Sequence, residues 1–179
     1  LSQPVRRGRI WTGLFLGLFL SLSLAFMLGA GLPVLLFVQG SIAAILVVMG
    51  VLITAAFVSL GFLCTILTRD KARGIGISIL LWLFFSLLFD GVVLFLIFQF
   101  SDYPIEKAMI GLAALNPIDL ARIFIILQLD VSAMLGYTGA IFKAFFGTGL
   151  GTAIGFGLLC LWVVIPYMLS LRRFVKKDL

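Results

Sequence analysis

Histidine is absent from this 179-residue chain. That absence excludes His-based catalytic triads, imidazole metal ligands and imidazole proton shuttles together. Cysteine is nearly as scarce. Cys64 and Cys160 lie in separate apolar runs, form no CxxC pair, and suggest neither a disulfide framework nor a zinc site. Charged residues make up only 11% of the chain, too few to solubilise a globular surface. With seven acids and no histidine, no nucleophile–base pair is apparent. No GxxxxGK[ST] phosphate loop occurs, so the chain does not hydrolyse ATP through a P-loop. The expectation is a protein that is not itself an enzyme and holds no cofactor or metal.

What is present is apolar: 63% of the residues, with a mean hydropathy of +1.29. About 20 apolar residues cross a bilayer core, and four runs qualify: Ile10–Val38, Ser41–Thr68, Gly74–Phe100 and Thr148–Leu171. The run after Arg9 is too long for the h-region of a cleavable signal peptide. Gly29, Gly31 and Pro33 are expected to kink or end the first helix near one membrane face. The fold expected is an all-α integral membrane protein, one transmembrane domain over residues 1–179, embedded in a lipid bilayer.

The formal net charge of +6 would suit nucleic acid, but the cations sit at span ends rather than on a folded basic face, which argues against it. Arg6, Arg7 and Arg9 precede span one; Arg69, Lys71 and Arg73 surround the turn between spans two and three; Arg172, Arg173, Lys176 and Lys177 follow span four. These hold ten of the thirteen basic residues, and an even number of spans puts all three clusters on one side. By the positive-inside rule that side is cytoplasmic, which leaves Ser101–Gly147 outside.

Two spans carry small residues at four-residue steps: Gly13, Gly17, Ser21, Ala25 and Gly29 in the first, and Gly147, Gly151 and Gly155 in the last. Such stripes admit close helix approach, expected chiefly within the chain, with a subunit interface as the alternative. GLGTAIG at Gly149–Gly155 is not a dinucleotide fingerprint, since no strand precedes it and no acidic partner follows. Span three places Ser78, Trp82, Ser86 and Asp90 four apart on one face, and Asp90 is the one acid well inside a span. Asp90, with Ser86, is either a pathway or gate residue or a buried group that fixes helix rotation. The five methionines and two cysteines are soft donors that suit Cu(I), but their scatter favours core filling.

The stretch Leu115–Ala140, LNPIDLARIFIILQLDVSAMLGYTGA, is too apolar for a surface loop. Asp119, Arg122, Gln128 and Asp130 nevertheless interrupt it too often for a span, since each charge at the bilayer centre costs roughly 2.5–3.5 kcal/mol. Asn116 is expected to cap a helix from about Pro117 to Asp130, with Asp119 near its positive end. Gly136 and Gly139 are expected to break the helix around Tyr137. Asp119 and Arg122, three apart, are expected to form an exposed pair available to each other or to a partner. The segment at about 104–147 is thus read as a helical hairpin that dips into, or lies on, the outer face of the membrane.

Four spans with basic cytoplasmic turns, and a broken helical hairpin before the last, resemble the C-terminal two-thirds of an ABC-2 type (type V exporter-like) permease. LSQPVRRGRI at Leu1–Ile10 and the hairpin sequence resemble the permease subunits that serve maturation of nitrous oxide reductase. That resemblance implies a fragment whose spans correspond to spans three to six of a six-span bacterial inner-membrane protein, with an acidic coupling segment upstream. It implies a second permease copy, a NosF-like ATPase and a periplasmic NosD-like protein. Arg6, Arg7, Arg9, Arg69, Asp70, Lys71 and Arg73 become candidate ATPase contacts, and Asn116, Pro117, Asp119, Arg122, Asp130 and Tyr137 a candidate partner platform or gate. The competing expectations are an ABC-2 exporter of a drug, lipid or polysaccharide, and a membrane assembly scaffold that transports nothing.

Overall fold

Ser41–Leu67, the most apolar stretch, contains no proline and forms one unbroken helix, α3. At about 1.5 Å per residue its 27 residues reach roughly 40 Å, enough to cross a bilayer. The computed structural model describes residues 6–38, 40–100, 106–128 and 136–176. Among these, four helices are long and apolar enough to cross a membrane: Arg7–Phe37, Ser41–Leu67, Lys71–Gln99 and Gly149–Lys176. Described end to end, the first is α1 (Arg7–Phe26), a π-helical turn (Met27–Gly31) and α2 (Leu32–Phe37). The third is α4 (Lys71–Leu83), a π-helical turn (Phe84–Leu88) and α5 (Phe89–Gln99), and the fourth is α9 (Gly149–Lys176).

Pro33 does not end the first helix. It falls in the first turn of α2, directly after the π turn, where i→i+5 bonding absorbs the missing proline N–H. The chain reverses into α3 at Gly40, whose φ of 90° favours glycine. The reversal from α3 to α4 is closed by Asp70, whose Oδ1 accepts the Ala72 N–H at 3.0 Å. Gly74 lets α4 close against the end of α3, since a β-carbon there would meet Thr68 Oγ1 at 2.7 Å.

α3 is the axis of the bundle and packs against α1, α4, α7 and α9. At one end Trp11 joins three helices. Its ring stacks on Phe174 (4.3 Å), meets Phe62 edge-on (4.9 Å), and its Nε1–H donates to Ser170 Oγ at 3.1 Å. The start of α1, the end of α3 and the end of α9 therefore share one end, and so do their basic clusters.

Between spans three and four lie α6 (Glu106–Ala114), α7 (Pro117–Gln128) and α8 (Gly136–Phe146). The first two meet at a bend of 111°. Leu120 and Ala121 of α7 are fully buried against Met49 of α3, Phe146 of α8 and Leu159 of α9. α7 is thus sunk into the bundle rather than laid on its surface. The expected break around Gly136 and Gly139 does not occur: both lie in the first turn of α8, and Gly139 is buried. Close packing tolerates a glycine there without ending the helix.

The two small-residue stripes behave differently. Gly151 and Gly155 of α9 are buried, and a β-carbon on Gly155 would meet Phe124 at 2.7 Å and Phe146 at 3.0 Å. Gly13, Gly17, Ser21 and Ala25 of α1 and Gly29 of the π turn are all exposed, and the three glycines have nothing within 4 Å of a β-carbon. The in-chain packing expected of the first stripe is therefore not found among the described residues.

Candidate functional site

Asn116 sits at the bend between α6 and α7 and is fully buried. Its Oδ1 accepts the Ile118 N–H at 3.0 Å, capping α7, while its Nδ2 donates to the Phe85 carbonyl at 2.9 Å. Phe85 belongs to the π turn of span three, where i→i+5 bonding reorganises the carbonyls and π turns recur at functional sites. One side chain therefore caps the hairpin helix and holds the irregular turn of the neighbouring span. Trp162 of α9 completes the bend: its Nε1–H donates to the Ala114 carbonyl at 3.1 Å, and its ring meets Phe85 at 5.3 Å.

These contacts fix the depth of the hairpin. Phe85 is 14 residues into the 29-residue span that begins at Lys71, about 21 Å along it at 1.5 Å per residue. The bend at Asn116 is thus re-entrant to the middle of the bundle, and α7 climbs back beside α5.

One turn or so above the bend, Arg122 of α7 meets Asp90 of α5, with Nη1 2.9 Å from Asp90 Oδ2. The same Nη1 lies 3.3 Å from Asp119 Oδ1. The exposed Asp119–Arg122 pair expected from the sequence is instead a three-residue cluster tied to span three. The Asp119 side chain is 15% exposed, against 38% for Asp90 and 47% for Arg122.

The three side chains line a cavity of about 270 Å³. Its other walls are apolar: Val93 and Ile97 from α5, Met109 and Ala113 from α6, Ile126 from α7 and Phe142 from α8.

Four of the candidate residues are thus brought together: Asp90, Asn116, Asp119 and Arg122. Pro117 is buried as the first residue of α7. Ser86 is half-buried within the π turn and does not line the cavity, because the wider turn spoils the four-residue register with Asp90. Asp130 and the Tyr137 side chain lie outside the described residues. Arg6, Arg7, Arg9, Arg69, Lys71 and Arg73 are at the opposite, basic end, where Asp70 serves as the α4 cap. Sequence reasoning missed Phe85 and Trp162, which act through a backbone carbonyl and an indole N–H.

A re-entrant helix pair before the last of four spans fits a permease of the ABC-2 class. The family model described as ABC-2 family transporter protein matches residues 1–179, and the chain belongs to that family. It is a multi-pass membrane protein. Among curated relatives it is similar to the probable ABC transporter permease protein NosY of Pseudomonas aeruginosa, with 32% identity over 146 residues, 76% of this chain and 53% of that protein. It is also similar to the protein of the same name from Stutzerimonas stutzeri, with 25% identity over 189 residues, 99% of this chain and 67% of that one. The chain spans about half to two-thirds of the length of these curated relatives.

Proposed function

We propose that this chain belongs to the permease of a bacterial inner-membrane ABC transporter that serves maturation of the copper–sulfur site of nitrous oxide reductase. The observation that carries the reading is the two-point junction of hairpin and span three, Asn116 to the Phe85 carbonyl and Arg122 to Asp90. Span three begins in the basic turn at Asp70–Arg73 and reaches the hairpin through its own π turn. A push on the turn is carried along a helix to the bend of the hairpin, which is the mechanical link that coupling to a separate ATPase requires. The NosY names of its relatives support the specific pathway.

In this reading the basic end is cytoplasmic and receives a NosF-like ATPase through Arg6, Arg7, Arg9, Arg69, Lys71 and Arg73. The hairpin opens to the periplasm and to a NosD-like protein. A second permease copy covers the exposed stripe of α1. ATP hydrolysis belongs to the partner subunit. A second reading, export of some other substrate, draws on the apolar cavity beside the junction.

The experiment is deletion of the full-length permease gene from a nitrous-oxide-respiring host, followed by complementation. Nitrous oxide reductase from the deletion strain is expected to lack its copper–sulfur site, and the restored gene to return it. Normal enzyme in the deletion strain would transfer the function to the second reading.

A further inference from the structure

We propose that the cavity between α5, α6, α7 and α8 is a binding site for a small amphipathic monocation: an apolar body carrying one ammonium or guanidinium group. The proposal goes beyond the maturation reading and stands whichever enzyme or substrate the transporter serves.

The first argument is charge. Among the described residues the cluster holds two carboxylates, Asp90 and Asp119, and one guanidinium, Arg122, and so lacks one positive charge when all three are ionised. In a poorly hydrated site that deficit is met by a proton or by a cation. An incoming ammonium supplies the missing positive charge and makes charge-assisted hydrogen bonds to either carboxylate. An anion meets two carboxylates and finds the one guanidinium already engaged, so the charge selects against it.

The second argument is shape. The cavity, about 270 Å³, has the volume of roughly nine waters at about 30 Å³ each. Water there would find side-chain polar partners only in Asp90, Asp119 and Arg122, because the other lining residues, Val93, Met109 and Phe142 among them, are all apolar. An apolar body satisfies those walls, and an ordered water chain does not. The third argument is access. The Asp90 and Arg122 side chains are 38% and 47% exposed, so a ligand reaches them without opening the sealed face of α7 at Leu120 and Ala121.

The test uses the full-length permease in nanodiscs of zwitterionic lipid, titrated calorimetrically with 4-phenylbutylammonium. The uncharged 4-phenylbutanol and the anionic 4-phenylbutyrate serve as matched probes. The ammonium is expected to bind saturably at least tenfold more tightly than either. Asp119→Asn is expected to weaken it at least tenfold, while Arg122→Gln, which removes the resident cation, is expected to tighten it. A merely structural role for the cluster would weaken binding in both variants. Equal affinity for alcohol and ammonium would reduce the cavity to a lipid-like apolar cleft and overturn the proposal. Undiminished ammonium binding in Asp119→Asn, or loss of it in Arg122→Gln, would overturn it as well. Complementation of nitrous oxide reductase is a separate readout, so either reading can fail without the other.

Discussion

Arg122 of the re-entrant hairpin bonds Asp90 of the third span at 2.9 Å, across 32 residues of chain. An acid inside a span is stable only with a partner or a proton, and the hairpin provides the partner. The same contact removes Arg122 from the freely available surface that a docking platform would need.

Charge reversal at Arg122 is therefore expected to disturb the fold. Arg122→Glu places three carboxylates together where two now share a guanidinium, and like charges at this range repel. The full-length protein is expected to unfold at a lower denaturant concentration than the parent, whereas Arg122→Lys should lose much less. An unchanged midpoint in Arg122→Glu would return the residue to the role of a surface group.

Asn116 performs two tasks that substitution can separate. Asn116→Ala loses the α7 cap, about 0.5–2 kcal/mol, and leaves the Phe85 carbonyl without its donor, about 1–3 kcal/mol more. Asn116→Ser keeps a capping oxygen but cannot reach Phe85, so it should recover only the first part. Unfolding in mixed micelles measures both. Equal stability of the two variants would show that the cap contributes nothing.

How much of this was legible beforehand depends on the scale of the feature. The four spans follow from apolar length and the positions of the basic clusters, and the start of α7 from Asn116-Pro117, because each signal is local in sequence. The pairing of Asp90 with Arg122 was half legible: the one acid inside a span requires a partner, and Arg122 is a cation in the adjoining apolar segment. What hid it was depth. A three-residue spacing on a helix also explains an Asp119–Arg122 pair, and nothing in the sequence says that α7 sinks to mid-bundle. The π turn at Phe84–Leu88 has no composition of its own, so the loss of register between Ser86 and Asp90 was invisible. The stripe on α1 and that on α9 read alike, yet only Gly151 and Gly155 are buried, because burial belongs to the neighbours.

Those stripes give the next expectation. Gly155→Leu would drive a side chain into Phe124 and Phe146 and should sharply reduce the folded yield. Gly17→Leu meets open space in this chain and should leave the single chain intact. If a second copy covers α1, Gly17→Leu should also shift the permease from dimer to monomer on cross-linking in native membranes. An intact dimer would place the interface on another face.

Orientation is checked by thiol labelling with an impermeant reagent. Ala72 is exposed beside the basic turn, and Thr148 is exposed in the turn before α9, at the opposite end of the bundle. Ala72→Cys should react only after the cells are opened, and Thr148→Cys in intact cells, each against a parent retaining half-buried Cys160. The reverse pattern would invert the molecule.

The junction itself is tested most directly by a double-mutant cycle on Asp90→Asn and Arg122→Gln in the full-length permease, read as unfolding free energy in lipid. A side-chain pair in direct contact is expected to give a coupling of roughly 0.5–3 kcal/mol, so the double variant should lose clearly less than the sum of the singles. Strict additivity would mean that the two side chains do not act on each other, and that the hairpin is not fastened to the third span at this point.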